Sequence, residues 1–228
     1  MEDIVQNLQT VRERMARACE RSQRDPSEIK LVAVTKTVDA GRITAAIRAG
    51  VRIVGENRVQ EALRKKPQVP VQAQWHMIGH LQTNKVRKAL QIFDMVQSLD
   101  SLRLAEELDK QAEKLGRPVE ALIEVNTSGE VSKFGIQPQE TQAFIRELER
   151  FPRIVVKGLM TIGPLTDDEQ RIRRSFRMLR ELFESLKSTN QPRVEMRHLS
   201  MGMTDDFEIA IEEGSNMVRI GRAIFGER

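Results

Sequence analysis

A chain of 228 residues, 39% hydrophobic and 31% charged, is long enough to bury a sizeable core and polar enough to fold in water. Its net charge of +4 invites a nucleic-acid partner, yet aromatics make up only 4% and no RNA-binding aromatic signature is present. No apolar run approaches the ~20 residues that span a bilayer, and the acidic start "MEDIVQNLQTVRERM" predicts neither a secretory signal nor a transit peptide.

Residues 2–21 carry Ile4, Leu8, Val11, Met15 and Cys19 at spacings of three and four, which predicts a helix. Cys19 is the only cysteine, so no internal disulfide is expected and a reducing, cytoplasmic compartment is. Short β-branched runs follow near 31–35, 52–54, 75–78, 94–97, 119–125, 154–159, 195–199 and 216–220. Helical patterns lie between them near 39–49, 57–66, 84–90, 101–115, 138–149, 167–187 and 205–213. Gly50 and Gly116 fall just past two of these helices, and Asp100 and Thr166 are the expected N-caps of two others. The densest cation cluster is Arg171, Arg173, Arg174, Arg177 and Arg180. It alternates with acidic residues around Ile172, Phe176, Leu179 and Phe183, so it reads as the solvated face of an amphipathic helix.

Strands that alternate with helices make a parallel sheet, because each crossover needs a helix. Eight such units in about 200 residues predict an α/β fold: a single-domain (β/α)8 TIM barrel over residues 1–228 with an extra N-terminal helix. The helix after the eighth strand is nearly absent, and the N-terminal helix is expected to cover that face. A doubly wound open sheet is the alternative, but no G-x-G-x-x-G follows any strand.

In such a barrel the reactive groups gather at the C-terminal ends of the strands. Lys36 ends the first strand and shares parity with Val32 and Val34, which predicts an inward side chain. Asn57 lies just past the second strand, in "VGENRVQE". After "MVRI", Gly221 is expected to turn the backbone tightly, so that the amides of Gly221 and Arg222 open a short helical turn. Such free amides form an anion site, to which Ser200 adds a hydroxyl, and Arg219 shares the mouth. On position alone, a lysine that snorkels to solvent and a glycine that merely turns the chain stay open as plainer readings. A nearby cation and partial desolvation both lower a lysine pKa, favouring the neutral amine that attacks an aldehyde. An inward lysine with a phosphate cradle across the mouth describes a pocket for a phosphorylated aldehyde. Pyridoxal 5′-phosphate (PLP), held as a Schiff base on Lys36, is the obvious one.

Other polar residues point less sharply. His76 and His80 straddle a strand end and Gly79 and have no obvious third ligand, so no metal is expected. His198 is expected to pack or hydrogen-bond on the seventh strand, and Met201 and Met203 to wall the pocket. Lys133 is either loop surface or a contact for incoming phosphate.

Over essentially its full length the chain resembles the pyridoxal phosphate homeostasis protein family. The matching stretches are "LVAVTKT", "GENRVQE", "WHMIGHLQTNK", "VNTSGEVSKFG", "GLMTIG" and "LSMGMTDDFEIAIEEGSNMVRIGRAIFG". That family is similar to the N-terminal barrel domain of alanine racemase, the fold-type III architecture of PLP proteins. The resemblance implies a cofactor on Lys36, its phosphate held by Ser200 and the amides of Gly221 and Arg222, and its pyridine nitrogen facing Arg219. Asn57 would line the pocket. Relatives carry Thr or Ser where this chain has Arg222, so the backbone amide is the contact expected there.

Three functions follow: a PLP-binding protein that stores, protects or delivers the cofactor; a racemase-like PLP enzyme; or a nucleic-acid- or partner-binding barrel with an incidental lysine. An arginine at the pyridine nitrogen keeps it unprotonated and weakens the ring as an electron sink. Racemases of this fold type add a tyrosine base from a further C-terminal β domain. This chain has no tyrosine and ends eight residues after Ile220, so that domain is not expected. The expectation is a cytoplasmic, monomeric PLP homeostasis protein without catalytic residues, with PLP-dependent apoenzymes as partners and neither nucleic acid nor membrane.

Overall fold

The computed structural model describes residues 2–130, 133–188 and 191–226, and its strands close into a barrel in chain order. The first four strands are β1 (Lys30–Val34), β2 (Ile53–Glu56), β3 (Gln74–Met77) and β4 (Met95–Leu99). The second four are β5 (Val119–Glu124), β6 (Ile154–Met160), β7 (Val194–Ser200) and β8 (Met217–Ile220). Every strand boundary lies within two residues of its predicted stretch. The strands pair in parallel throughout, and β1 closes on β8 with Lys30 opposite Met217 and Ala33 opposite Ile220. Closure excludes the doubly wound alternative.

The helices begin with α1 (Glu2–Arg21), α2 (Ala40–Arg48), α3 (Val59–Lys65), α4 (Val86–Ala89) and α5 (Leu102–Leu115). They continue with α6 (Thr141–Glu147), α7 (Glu169–Lys187), α8 (Phe207–Glu212) and the single turn α9 (Arg222–Phe225). Strand alternation sorts the apolar side chains between two cores. Val32, Ile53, Ile78, Met95, Leu122, Met160 and Met217 fill the barrel, with Val34 at their edge. Their alternates, among them Ala33, Val54, Trp75, Val96 and Val218, meet the helices outside.

The predicted apolar stripe of α1 is buried, and the helix packs on α2, α8 and α9, where a longer last helix would otherwise lie. Arg14 pairs with Glu208 at 2.7 Å and the Asn7 amide donates to the Ile224 carbonyl at 3.1 Å, fixing the helix across the end of the chain. Leu8 is wholly buried, and truncating it to alanine costs about 2–5 kcal/mol. In α7, Arg173 pairs with Glu169, Glu212 and Glu213 and Arg177 with Glu213, so part of the cation cluster is neutralised within the fold.

Two N-caps lie later than predicted. Ser101, not Asp100, caps α5 by accepting from the Leu104 amide, because Asp100 faces His80 at 3.0 Å instead. Asp168, not Thr166, caps α7, while the Thr166 hydroxyl accepts the Asp168 amide and shapes the preceding turn. Gly116 ends α5 at φ 66°, a left-handed position that suits glycine. No described helix is long and apolar enough to cross a membrane.

Candidate functional site

β1 stops at Val34, so Lys36 stands in the turn above the strand and is exposed. Val32 and Val34 face the barrel interior as parity predicts, but regular pairing ends before the alternation reaches Lys36. The turn is anchored from outside the barrel. The Thr35 hydroxyl donates to Glu56 Oε1 at 2.7 Å, and the Thr35 carbonyl accepts from Lys65 Nζ at 2.7 Å. Lys65 reaches on to Glu56 Oε1 at 3.0 Å and Glu61 Oε1 at 2.5 Å, and Glu61 accepts the Thr37 amide. Thr37 is left-handed, at φ 63°, a conformation costing a β-branched residue about 1–3 kcal/mol, and the Glu61 bond holds it there.

Burial pushes the Glu56 carboxyl above its usual range, against the pull of Thr35 and Lys65, and its Oε2 has no partner among the described residues. Burial pushes Glu61 up as well, but Lys65 and the Thr37 amide outweigh it and hold that carboxyl low. Asn57, next after β2, is partly buried, with an Oδ1 shut off from solvent and unpartnered among the described residues. Only a glycine fits beside it. A Cβ on Gly79 would lie 2.7 Å from the Asn57 carbonyl oxygen.

A chain of polar groups crosses the barrel below the mouth. Arg219 donates from Nη1 to Ser200 Oγ and from Nη2 to the Thr161 carbonyl, each at 2.7 Å. Ser200 donates in turn to Gln97 Oε1 at 2.7 Å, and Gln97 Nε2 lies 2.8 Å from His76 Nδ1. That amide donates, so His76 Nδ1 accepts, which agrees with an imidazole pushed down to about 3 by burial, His198 and Lys30. Burial also lowers Arg219 to about 10, with Asp206 and Glu124 pulling the other way, so the guanidinium stays charged at neutral pH. Glu124, at the end of β5, is pushed up to about 7 by burial and by Asp100, against the pull of Arg219.

Gly221 opens α9 at φ −119° and ψ −73°, outside the left-handed region. Within that turn the amides of Ile224 and Phe225 bond back to the Gly221 carbonyl. The amides of Gly221, Arg222 and Ala223 take no part in these bonds, as the first amides of a helical turn do not. The Arg222 side chain turns away and pairs with Asp205. Since β8 pairs with β1, the Gly221 turn issues beside the Lys36 turn rather than across the mouth from it.

The structure therefore joins Ser200 directly to Arg219, puts Lys36 and Gly221 on neighbouring strand ends, and leaves Asn57 at the end of β2. Lys133 is tied to Glu130 and to the Gly163 carbonyl, and with Glu124, Asn126, Phe134 and Ile162 it lines a small cavity of about 170 Å³ at the mouth. His198 is a packed residue of β7 that burial lowers to about 4. Met201 belongs to the outer core and so does not wall the pocket as expected, while Met203 is exposed. His80 stacks on Phe134, with ring centroids 4.0 Å apart. No group of three or more His, Cys, Asp or Glu among the described residues could hold a metal ion. Gln97, Glu56, Lys65 and Glu124 were not anticipated. The signal for Glu56, Gln97 and Glu124 was a polar residue closing or interrupting an apolar strand, as in "IVGE", "MVQSL" and "ALIE", while Lys65 ends helix α3 and carried none.

A closed parallel barrel with a lysine above β1, a buried arginine in β8 and a short helical turn after it defines a class. Residues 6–228 match the family described as alanine racemase, N-terminal domain. Within that class the chain belongs to the pyridoxal phosphate homeostasis protein family: it is 42% identical to the Aquifex aeolicus member over 98% of this chain and 97% of that one. A crystal structure of an unknown protein from Bifidobacterium adolescentis superposes with a TM-score of 0.94 at 40% identity, covering 98% of this chain and 95% of that one. PipY of Synechococcus elongatus, solved with PLP bound, gives 0.84 at 34% identity over 98% of this chain and 100% of PipY. Alanine racemase of Clostridium difficile shares the fold, with a TM-score of 0.76 at 17% identity, all of this chain covering 56% of that one.

Proposed function

We propose that the barrel mouth binds pyridoxal 5′-phosphate covalently through Lys36, and that the protein holds the cofactor and releases it to apoenzymes in the cytoplasm. The observation that carries this reading is adjacency. Lys36 follows β1, Gly221 follows β8, and these strands pair with Ala33 opposite Ile220. An amine for the aldehyde and open amides for the phosphate thus issue from neighbouring strand ends, with the Arg219 cation buried between Ser200 and Thr161 just below. The unpartnered Oδ1 of Asn57 offers a further polar contact at the same rim. The likeness to PipY, solved with PLP bound, supports the same assignment.

When bound, the cofactor supplies an aldehyde that takes up amines and a ring that spreads charge. The chain's own residues favour holding over turnover. Arg219 stays charged, so a pyridine nitrogen facing it accepts a hydrogen bond and carries no proton. His76 and His198 are weak bases at about 3 and about 4, and the chain has no tyrosine. Glu124, pushed up to about 7, is poised near neutrality and favours a second reading, proton transfer on a bound amino acid.

Borohydride reduction of the yellow holoprotein, followed by peptide mapping, tests the assignment. The label is expected on the peptide that contains Lys36, and Lys36→Ala should lose it. Label on Lys30 or Lys133, or none at all, overturns the reading.

A further inference from the structure

At the end of the barrel away from Lys36, a groove of about 1030 Å³ opens among the starts of β1, β2 and β3. Leu31, Val51, Val69 and Val71 give it apolar walls. Its charges are one-sided: Arg12, Lys30, Arg52 and Lys66 line it against Asp94 alone. Asp94 is occupied with the Trp75 amide at 2.8 Å. Arg12 and Lys66 donate to the carbonyls of Ala49 and Ile92, neutral acceptors, and Asp94 offsets part of the Lys66 charge, which leaves Arg12 and Arg52 as the uncompensated cations of the outer face. The exposed side chains of Lys30 and Arg52 have no acceptor among the described residues.

We propose that this groove binds a small amphipathic anion, with a carboxylate or phosphate head against Arg52, which alternates with the inward Ile53 and so shares the outer face with Leu31, and an apolar body on Leu31, Val51, Val69 and Val71. A neutral apolar ligand would leave the cations unanswered, and a small inorganic anion would leave the walls wet. Pockets of this volume enclose organic ligands. None of the residues assigned to the cofactor lines the groove, so the two sites stand or fall separately.

Trp75 is the only tryptophan and lines the groove, so its emission reports there and not at the mouth. The holoprotein is titrated with octanoate, 1-octanol and acetate, following Trp75 emission and, in parallel, calorimetric heat. Octanoate is expected to saturate, with 1-octanol and acetate each weaker by about tenfold or more. Arg52→Glu is expected to weaken octanoate about tenfold while the visible absorbance of the cofactor stays unchanged. Three results overturn the proposal: no saturable octanoate binding by either measurement, 1-octanol binding as tightly as octanoate, or undiminished octanoate binding in Arg52→Glu. Loss of the cofactor reading shows separately, as missing visible absorbance.

Discussion

Lys65 Nζ lies 2.7 Å from the carbonyl oxygen of Thr35, the residue before Lys36, and 3.0 Å from the buried Glu56 carboxylate. The turn that presents Lys36 is thus set by a second lysine, from α3. The pair is poorly screened, with Lys65 12% and Glu56 0% exposed. Lys65→Met strands the carboxylate, and the expected cost is about 3–5 kcal/mol in urea unfolding. Glu56→Gln in the same chain should recover part of it. Cofactor labelling at Lys36 should fall in the single variant, since the Thr35 carbonyl loses its donor and Glu61, which accepts the Thr37 amide, loses its cation. Unchanged stability and labelling would show that the turn holds its own shape.

Ser200 occupies the middle of the buried chain, accepting from Arg219 and donating to Gln97. Ser200→Ala leaves Gln97 Oε1 and Arg219 Nη1 each short of a partner where water is scarce. The expected loss is about 1–3 kcal/mol of stability, together with weaker PLP retention in equilibrium dialysis. Pyridoxal, which lacks the phosphate, should bind the wild type far more weakly than PLP does. Equal affinity would move the anion site away from the Gly221 turn.

Local patterning accounts for the strands and helices, since β-branched runs and three-four spacing record burial directly. It accounts less well for the caps. Asp100 and Ser101 are both good capping residues, and the choice between them was made by His80, which belongs to another loop. The inward parity of Val32 and Val34 was readable, but where β1 stops depends on how far β2 and β8 extend beside it. Gln97 meets Ser200 from 103 residues away. Such partners are set by barrel closure and register, which no short stretch encodes. The short helical turn after Gly221 was readable from the glycine that follows "MVRI".

Glu124 makes stability depend on pH with a definite sign. Its carboxyl rises from 4.5 in the free residue to about 7 in the fold, so across that window the native protein holds a proton that the unfolded chain has released. Native-state proton uptake favours the fold at the acid end, so this contribution is lost as pH rises through the window. Above it, the ionised carboxylate is a penalty of up to about 3 kcal/mol. His76 and His198, lowered to about 3 and about 4, work in the opposite direction: below their free value of 6.5 the unfolded chain binds more protons, and stability falls with acid. Glu124→Gln should therefore match the wild type near pH 4 and exceed it near pH 8 in urea midpoints. A variant less stable near pH 8 would mean that Glu124 is ionised there and usefully paired with Arg219.

The proposed absence of turnover rests on Arg219. With a charged guanidinium at the pyridine nitrogen, amino acids could exchange onto the bound aldehyde and leave, without chemistry at their α-carbon. In deuterated water the wild type should exchange α-protons of several amino acids no faster than free PLP does. Arg219→Glu would let the nitrogen take a proton and strengthen the electron sink, so slow exchange above background is expected from that variant. It also puts a second carboxylate near Glu124 and Asp206, whose charges Arg219 now offsets, so Arg219→Gln serves as the neutral control for folding. Rapid, stereospecific exchange by the wild type would sink the carrier reading. Glu124 would then be the base to suspect, because its carboxyl, at about 7, is the buried group best matched to proton transfer at neutral pH. Glu124→Gln would abolish that exchange if it is the base, and would leave it intact if the proton moves elsewhere.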